Sequence, residues 1–117
     1  MLALPNSRRE FRYRVFGPGK SGSVHRVEMS RTPTVAEIKA ALRPHLEGGT
    51  PEHVIVLLDG RPADMFVDEM ATAKGLPRNE EATKVYRANW LKRHRQDPET
   101  MPFIAGPAVL FEDLIWP

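Results

Sequence analysis

The chain has 117 residues, a formal net charge of +2, 41% apolar residues and no cysteine. This length is typical of one domain with its own hydrophobic core, and the lack of cysteine excludes disulfide frameworks, thiol nucleophiles and thiolate metal sites. Because no stretch approaches the roughly 20 apolar residues of a membrane span and the start is unlike a signal peptide, we expect a cytoplasmic domain without membrane contact.

The chain begins with a predicted arm and a predicted hairpin. Residues 1–9 are expected to form a flexible arm, and residues 10–117 a single domain. Residues 11–16 alternate between apolar and charged side chains, which is typical of a half-buried strand. After a glycine-rich turn, residues 23–30 alternate again, so residues 11–30 predict a β-hairpin.

A helix and two strands are predicted next. Thr34 and Glu37 have the spacing of a capping box, which marks a helix start. Four apolar side chains then fall on one helical stripe: Val35, Ile38, Leu42 and Leu46. Residues 53–58 are apolar without alternation, as expected of a central strand covered on both faces, and residues 63–70 are predicted to pair beside it.

The second predicted helix starts at Asn79, with Glu80 and Glu81 favourably placed in its first turn. The arc expected to be buried contains Ala82, Val85, Tyr86 and Trp90. Residues 103–116 supply one or two closing strands. The predicted fold is a single α+β domain in the order ββα-ββ-α-β, with two helices on a mixed, mainly antiparallel sheet.

Two resemblances add context. The hairpin, helix and strand of the first sixty residues resemble the order of ubiquitin-like β-grasp domains, which implies a β-grasp-like first half. A conjugating modifier ends in an exposed Gly-Gly tail, whereas Gly48-Gly49 is internal here, so modifier function does not carry over.

The second resemblance rests on Val67-Asp68-Glu69, on Gly75-Leu76-Pro77-Arg78-Asn79 with Ala82-Thr83, and on the strand Ile104-Ala105-Gly106-Pro107-Ala108. These residues resemble a small family of the domain of unknown function 3846 type, carried by phages and plasmids. The match covers about residues 52–112. The family has no established activity, so the resemblance implies a mobile-element accessory protein and no particular chemistry.

The sequence contains no set of residues that we would assign to catalysis, a cofactor or a metal. Asp64 and Asp68 lie ~13 Å apart along a strand, which is too far to share a proton or a metal ion. Asp68 or Glu69 is instead expected to cap the turn near Gly75 through backbone amides. The four histidines lack zinc-ligand spacing. We therefore expect no enzymatic activity.

A basic helix supplies the candidate interaction surface. The segment 84–95 contains five basic residues, most of them opposite the arc expected to be buried. Three interpretations are open: a solvated face, a surface for an acidic protein, or a surface for nucleic-acid phosphates. With two apolar anchors, the predicted surface comprises Lys84, Arg87, Leu91, Lys92, Arg95 and Trp116.

The turn before this helix has the clearest local sequence pattern in the chain. Gly75, Pro77 and Asn79 are predicted to form a turn and helix cap. Binding of an anion at the helix N-terminus is the alternative, and Glu80 with Glu81 disfavours it by repulsion.

Charge is arranged in blocks along the chain. Residues 1–49 carry +5, residues 50–83 carry −4, residues 84–96 carry +5 and residues 97–117 carry −4. Such blocks either offer charged patches to partners or neutralise each other across the folded surface. We expect a non-enzymatic module that binds a protein, with a small nucleic-acid-binding protein using residues 84–95 as the alternative.

Overall fold

Strands and helices follow one another in the order that the sequence predicts. A computed structural model describes residues 7–17, 22–46, 50–94 and 103–117, without the side chains of 89–94. The elements are β1 (Arg8–Phe16), β2 (Ser23–Ser30), α1 (Val35–Leu42), β3 (Pro51–Leu58), β4 (Arg61–Asp68), α2 (Glu80–His94) and β5 (Ala108–Phe111). The chain is therefore a single α+β domain, as predicted.

The five described strands form one sheet in the order β2-β1-β5-β4-β3. Every neighbouring pair is antiparallel, whereas the sequence predicts a sheet that is mainly antiparallel with a parallel part. The reason is the path of β5, which returns between the two hairpins and runs opposite to both β1 and β4.

The first strand begins earlier than expected. Arg8 lies opposite Ser30 in the β1–β2 pair, and the Arg31 N–H donates to the Ser7 carbonyl at 2.7 Å. Arg8 and Arg9 therefore belong to the sheet and not to the predicted arm. The rest of that arm, residues 1–6, lies outside the described residues.

The capping box at the start of α1 is confirmed. The Thr34 hydroxyl accepts from the Glu37 N–H at 3.2 Å, and a Glu37 carboxylate oxygen accepts from the Thr34 N–H at 3.1 Å. Of the predicted stripe, Ile38, Leu42 and Leu46 are buried, while Val35 is 36% exposed.

One helix covers each face of the sheet and makes a separate core there. On the α1 side, the core contains Phe11, Tyr13, Met29, Ile38, Leu42, Leu46, Phe66, Val109, Phe111 and Ile115. On the α2 side, it contains Phe16, Val56, Ala63, Met65, Val67, Ala82, Ile104, Ala108 and Leu110. No helix in the described part of the chain is long and apolar enough to cross a bilayer.

The predicted position of β3 is wrong. β3 lies at the edge of the sheet, and the Ile55 side chain is 54% exposed. The strands covered on both faces are β4, which is buried over residues 63–68, and β5. Only one strand of the β3–β4 hairpin can pair with β5, and the apolar run of β3 does not reveal which strand that is.

Candidate interaction surface

The structure describes only part of the predicted basic surface. Lys84 is exposed and Arg87 is half-buried on α2. Leu91 and Lys92 belong to the same helix, but their side chains are among those not described, and Arg95 lies outside the described residues. Within the described ranges, Lys84 is the one cation of this set that is exposed.

Four basic side chains of the first hairpin are paired with carboxylates, whereas Arg14 has no carboxylate partner among the described residues. The ion pairs have N–O distances from 3.0 to 3.9 Å and join Arg8 to Glu28 and Glu37, Arg9 to Asp113, Arg12 to Glu112, and Arg26 to Glu10. Exposed pairs of this kind contribute little stability. Two of the pairs, Arg9–Asp113 and Arg12–Glu112, connect the basic first block with the acidic last block, so the two blocks neutralise each other in part.

Asn79 is the predicted helix cap and is fully buried. Its Oδ1 accepts from the Ala82 N–H at 3.1 Å, which is the expected cap. Its Nδ2 donates to the carbonyls of Phe16 and Gly106, both at 2.8 Å. The Asn79 amide therefore ties the start of α2 to the end of β1 and to the loop before β5.

Gly75 and Pro77 lie in the turn that leads to this cap. Gly75 adopts a φ of 71°, a left-handed conformation that favours glycine. The Pro77 carbonyl accepts from the Gly106 N–H at 2.8 Å. Gly106 adopts a φ of 73°, which favours glycine, and a Cβ there would lie 2.9 Å from Leu76 Cδ1 and 3.2 Å from Ala71 Cβ, so a larger residue would be strained.

Asp68 is buried and caps a different turn from the predicted one. Its carboxylate accepts from the Met70 N–H at 2.9 Å and from Lys74 Nζ at 2.7 Å. Burial by itself raises the pKa of Asp68, but the hydrogen bonds from Lys74 and Met70 and the Lys74 charge outweigh it and lower the pKa. Glu69 is exposed.

Asp64 is buried in the middle of β4 and holds the segment that follows β5. One carboxylate oxygen hydrogen-bonds to His53 Nε2. The other oxygen accepts from the N–H groups of Ile115 and Trp116, at 2.6 and 2.8 Å. Both oxygens are thus used: one contacts His53, and the other fastens residues 115–116 over the sheet.

Three apolar side chains that are exposed or half-buried lie on β3 and on the segment that this carboxylate holds. Ile55 lies opposite Asp64 on β3, and the Trp116 ring stacks on the His53 ring at a centroid distance of 5.4 Å. Trp116 is half-buried, Ile55 is 54% exposed and Leu114 is 57% exposed. We call Ile55, Leu114 and Trp116 the Trp116 patch.

The structure does not bring Trp116 to the same surface as α2. Trp116 packs against the α1-side core, and α2 covers the opposite face of the sheet. The predicted interaction surface is therefore divided between two sides of the molecule.

Sequence reasoning missed two histidine contacts. His53 pairs with Asp64, and His45 Nε2 lies 3.0 Å from the Tyr13 hydroxyl, with the His25 ring stacked on Tyr13. Burial lowers the pKa of His45, and the neighbouring His25 lowers it further. Burial also raises the pKa of the Tyr13 phenol. In the sequence, only Asp64 could have indicated the His53 contact, because a carboxylate within an apolar strand needs a hydrogen-bond partner.

Within the described ranges, no three His, Cys, Asp or Glu side chains are grouped so that they could hold a metal ion. Comparisons with known proteins found no matching family model, no matching curated protein and no matching solved structure.

Proposed function

We propose that this protein is a non-enzymatic accessory module of mobile-element type, which acts in the cytoplasm by docking on a partner protein through the Trp116 patch. The observation that carries the proposal is that Ile55 is exposed on β3, while the exposed Leu114 and the half-buried Trp116 belong to the segment that Asp64 holds against the sheet. Neighbouring exposed apolar side chains on a small domain are characteristic of protein-binding surfaces, and tryptophan is frequent among the anchors of such surfaces.

The mobile-element context comes only from the resemblance over residues 52–112. The non-enzymatic character is supported by the use of the buried carboxylates. Asp64 holds His53 and two backbone N–H groups, and Asp68 holds Lys74 and a turn. Both side chains therefore have structural roles.

Charge favours a protein over nucleic acid as the partner. A phosphate-binding surface needs several cations directed at one backbone. Arg8, Arg9 and Arg12 are instead ion-paired to carboxylates of the same chain. These pairs offset part of the hairpin's charge and leave Arg14 as an exposed cation on β1.

Affinity capture with nuclease treatment tests the proposal. The tagged chain and a variant with Lys84, Arg87, Lys92 and Arg95 all replaced by Gln are used as baits in cells that carry the gene. We expect the same protein on both baits, retained after nuclease treatment. Loss of all partners after nuclease and in the variant would show that the basic helix binds nucleic acid.

A further inference from the structure

β1 and β2 carry three exposed arginines on the α2 side of the sheet. Phe16 is the one residue of these two strands in the described α2-side core. Because side chains alternate along a strand, Arg12 and Arg14 lie on the same face as Phe16. Arg26 shares this face because it lies directly opposite Arg12. All three arginine side chains are exposed, and we call them the arginine cluster.

Like charges oppose each other across these two strands. Arg12 lies opposite Arg26, and Glu10 lies opposite Glu28. Directly opposed residues have their Cβ atoms about 5 Å apart, and like charges at this distance destabilise a strand pair. The arginine cluster therefore forms a basic end of this face, next to an acidic end formed by Glu10 and Glu28. An anion bound at the basic end would relieve the repulsion between the arginines.

Carboxylates of the same chain neutralise the arginine cluster only in part. Arg26 Nε lies 3.7 Å from a carboxylate oxygen of Glu10, and Arg12 Nε lies 3.9 Å from one of Glu112. Both separations exceed the roughly 2.8 Å of a strong charge-assisted hydrogen bond. Arg14 has no carboxylate partner among the described residues. The guanidinium groups of the cluster can therefore donate to carboxylates of another molecule.

We infer that the arginine cluster binds an extended acidic segment of a protein, with Asp or Glu at alternate positions. Arg12 and Arg14 are two residues apart on β1, about 7 Å along the strand, and alternate residues of an extended peptide have the same separation. Successive carboxylates on one side of the segment can thus meet successive guanidinium groups. This site is separate from the proposed docking surface, because the Trp116 patch lies on the α1 side of the sheet.

Acidic residues on the same face limit the length of the bound anion. Glu10 and Glu28 follow the arginine cluster along the two strands, and the Glu112 N–H donates to the Arg12 carbonyl, which places Glu112 beside the cluster. A nucleic-acid strand carries a phosphate at every nucleotide and would bring further negative charge to these carboxylates. A peptide can follow its acidic residues with neutral or basic ones. The face therefore favours a short acidic segment of a protein over nucleic acid.

Two acidic peptides of equal composition test the inference. In the probe, Glu and Thr alternate over eight residues, so all four carboxylates lie on one side of the extended chain. In the control, pairs of Glu alternate with pairs of Thr, so carboxylates on one side are about 13 Å apart. The measurement is fluorescence anisotropy of each labelled peptide with the full chain at low salt, because salt screens exposed charges. We expect the alternating peptide to bind about threefold to fivefold more tightly.

A pair of charge variants locates the peptide on the protein. Arg14→Gln removes one cation of the cluster, and Arg43→Gln removes an equally charged, exposed side chain at the end of α1, on the other side of the sheet. We expect Arg14→Gln to weaken binding of the alternating peptide about threefold to fivefold and Arg43→Gln to leave it unchanged. Thermal unfolding checks that both variants fold like the parent.

Three results would overturn the inference. The first is equal affinity of the two peptides, and the second is equal weakening by Arg14→Gln and Arg43→Gln, since either would reduce the effect to net charge. The third is tighter binding of a thymidine oligonucleotide with four phosphates, lost in Arg14→Gln, which would make nucleic acid the occupant. Ile55→Lys alters only the Trp116 patch and should bind the alternating peptide like the parent. Loss of peptide binding in that variant would place the peptide at the patch and reject the arginine cluster.

Discussion

At the scale of single residues, Glu37 shows how one carboxylate joins a helix to a sheet edge. Its oxygens accept from the backbone and hydroxyl of Ser30, from the backbone and hydroxyl of Thr34, and from Arg8. The backbone hydrogen bonds from Ser30 and Thr34 are the main cause of a pKa lowered from 4.5 to about 2. The ionised form is therefore favoured in the folded protein.

This shift predicts an acid-sensitive contribution to stability. Because the pKa is lower in the folded chain, the contribution is complete above pH 4.5 and is lost as the pH falls towards about 2. Glu37→Gln should be less stable than the parent at pH 6, and the difference should shrink through this range. Urea unfolding between pH 2 and pH 6 measures it.

Glu28→Gln is the matched control, because it removes the other carboxylate that is ion-paired to Arg8 without touching a bond to a backbone N–H. This variant should follow the parent's pH dependence. If Glu37→Gln loses stability with acid as steeply as the parent does, the hydrogen bonds to Ser30 and Thr34 do not control acid stability.

At the scale of elements, Asn79 decides where α2 starts and what it is attached to. Asn79→Ala removes the cap and leaves the buried carbonyls of Phe16 and Gly106 without donors. The expected cost is about 2–4 kcal/mol of unfolding free energy, which exceeds the ~1 kcal/mol of a cap alone. Thermal or urea unfolding measures this cost.

Asn79→Asp tells the two roles apart. Aspartate is as good a helix cap as asparagine, but it cannot donate to the two carbonyls and would bury a negative charge beside them. We expect Asn79→Asp to be at least as destabilised as Asn79→Ala. Near-parent stability of the aspartate variant would mean that only the cap matters.

Sequence patterns predicted those elements that depend on interactions between residues close together in the chain. The Thr34–Glu37 box and the Asn79 cap depend on hydrogen bonds that span three residues, so the pattern is visible in the chain itself. The order of the strands is not local, because β5 pairs with β4 and β1 across long separations. The prediction of β3 as a central strand failed for that reason.

The candidate site depends even more on distant contacts. Asp64 meets Ile115 and Trp116 across about fifty residues of chain, with separations of 51 and 52. Trp116 was predicted as an anchor together with Leu91, but the fold places it on the face opposite α2. The patch formed with Ile55 and Leu114 could not be predicted before the position of β3 at the edge was known.

At the scale of the whole molecule, the charge blocks and the apolar surface are separate features. Ion pairs between β1 and residues 112–113 offset the two end blocks. The Trp116 patch lies on the α1 side, beside the β3 edge. We therefore propose that the partner binds through apolar contact at the Trp116 patch.

The most direct test compares two substitutions at equally exposed positions on opposite edges and opposite faces of the sheet. Ile55 is 54% exposed on β3 and Val24 is 53% exposed on β2, so Ile55→Lys and Val24→Lys add the same charge at equally exposed positions. The measurement is the affinity of each purified variant for the captured partner protein. We predict that Ile55→Lys weakens binding by about tenfold or more, equal to about 1.4 kcal/mol, while Val24→Lys binds like the parent. Equal affinity of the two variants would contradict docking through the Trp116 patch.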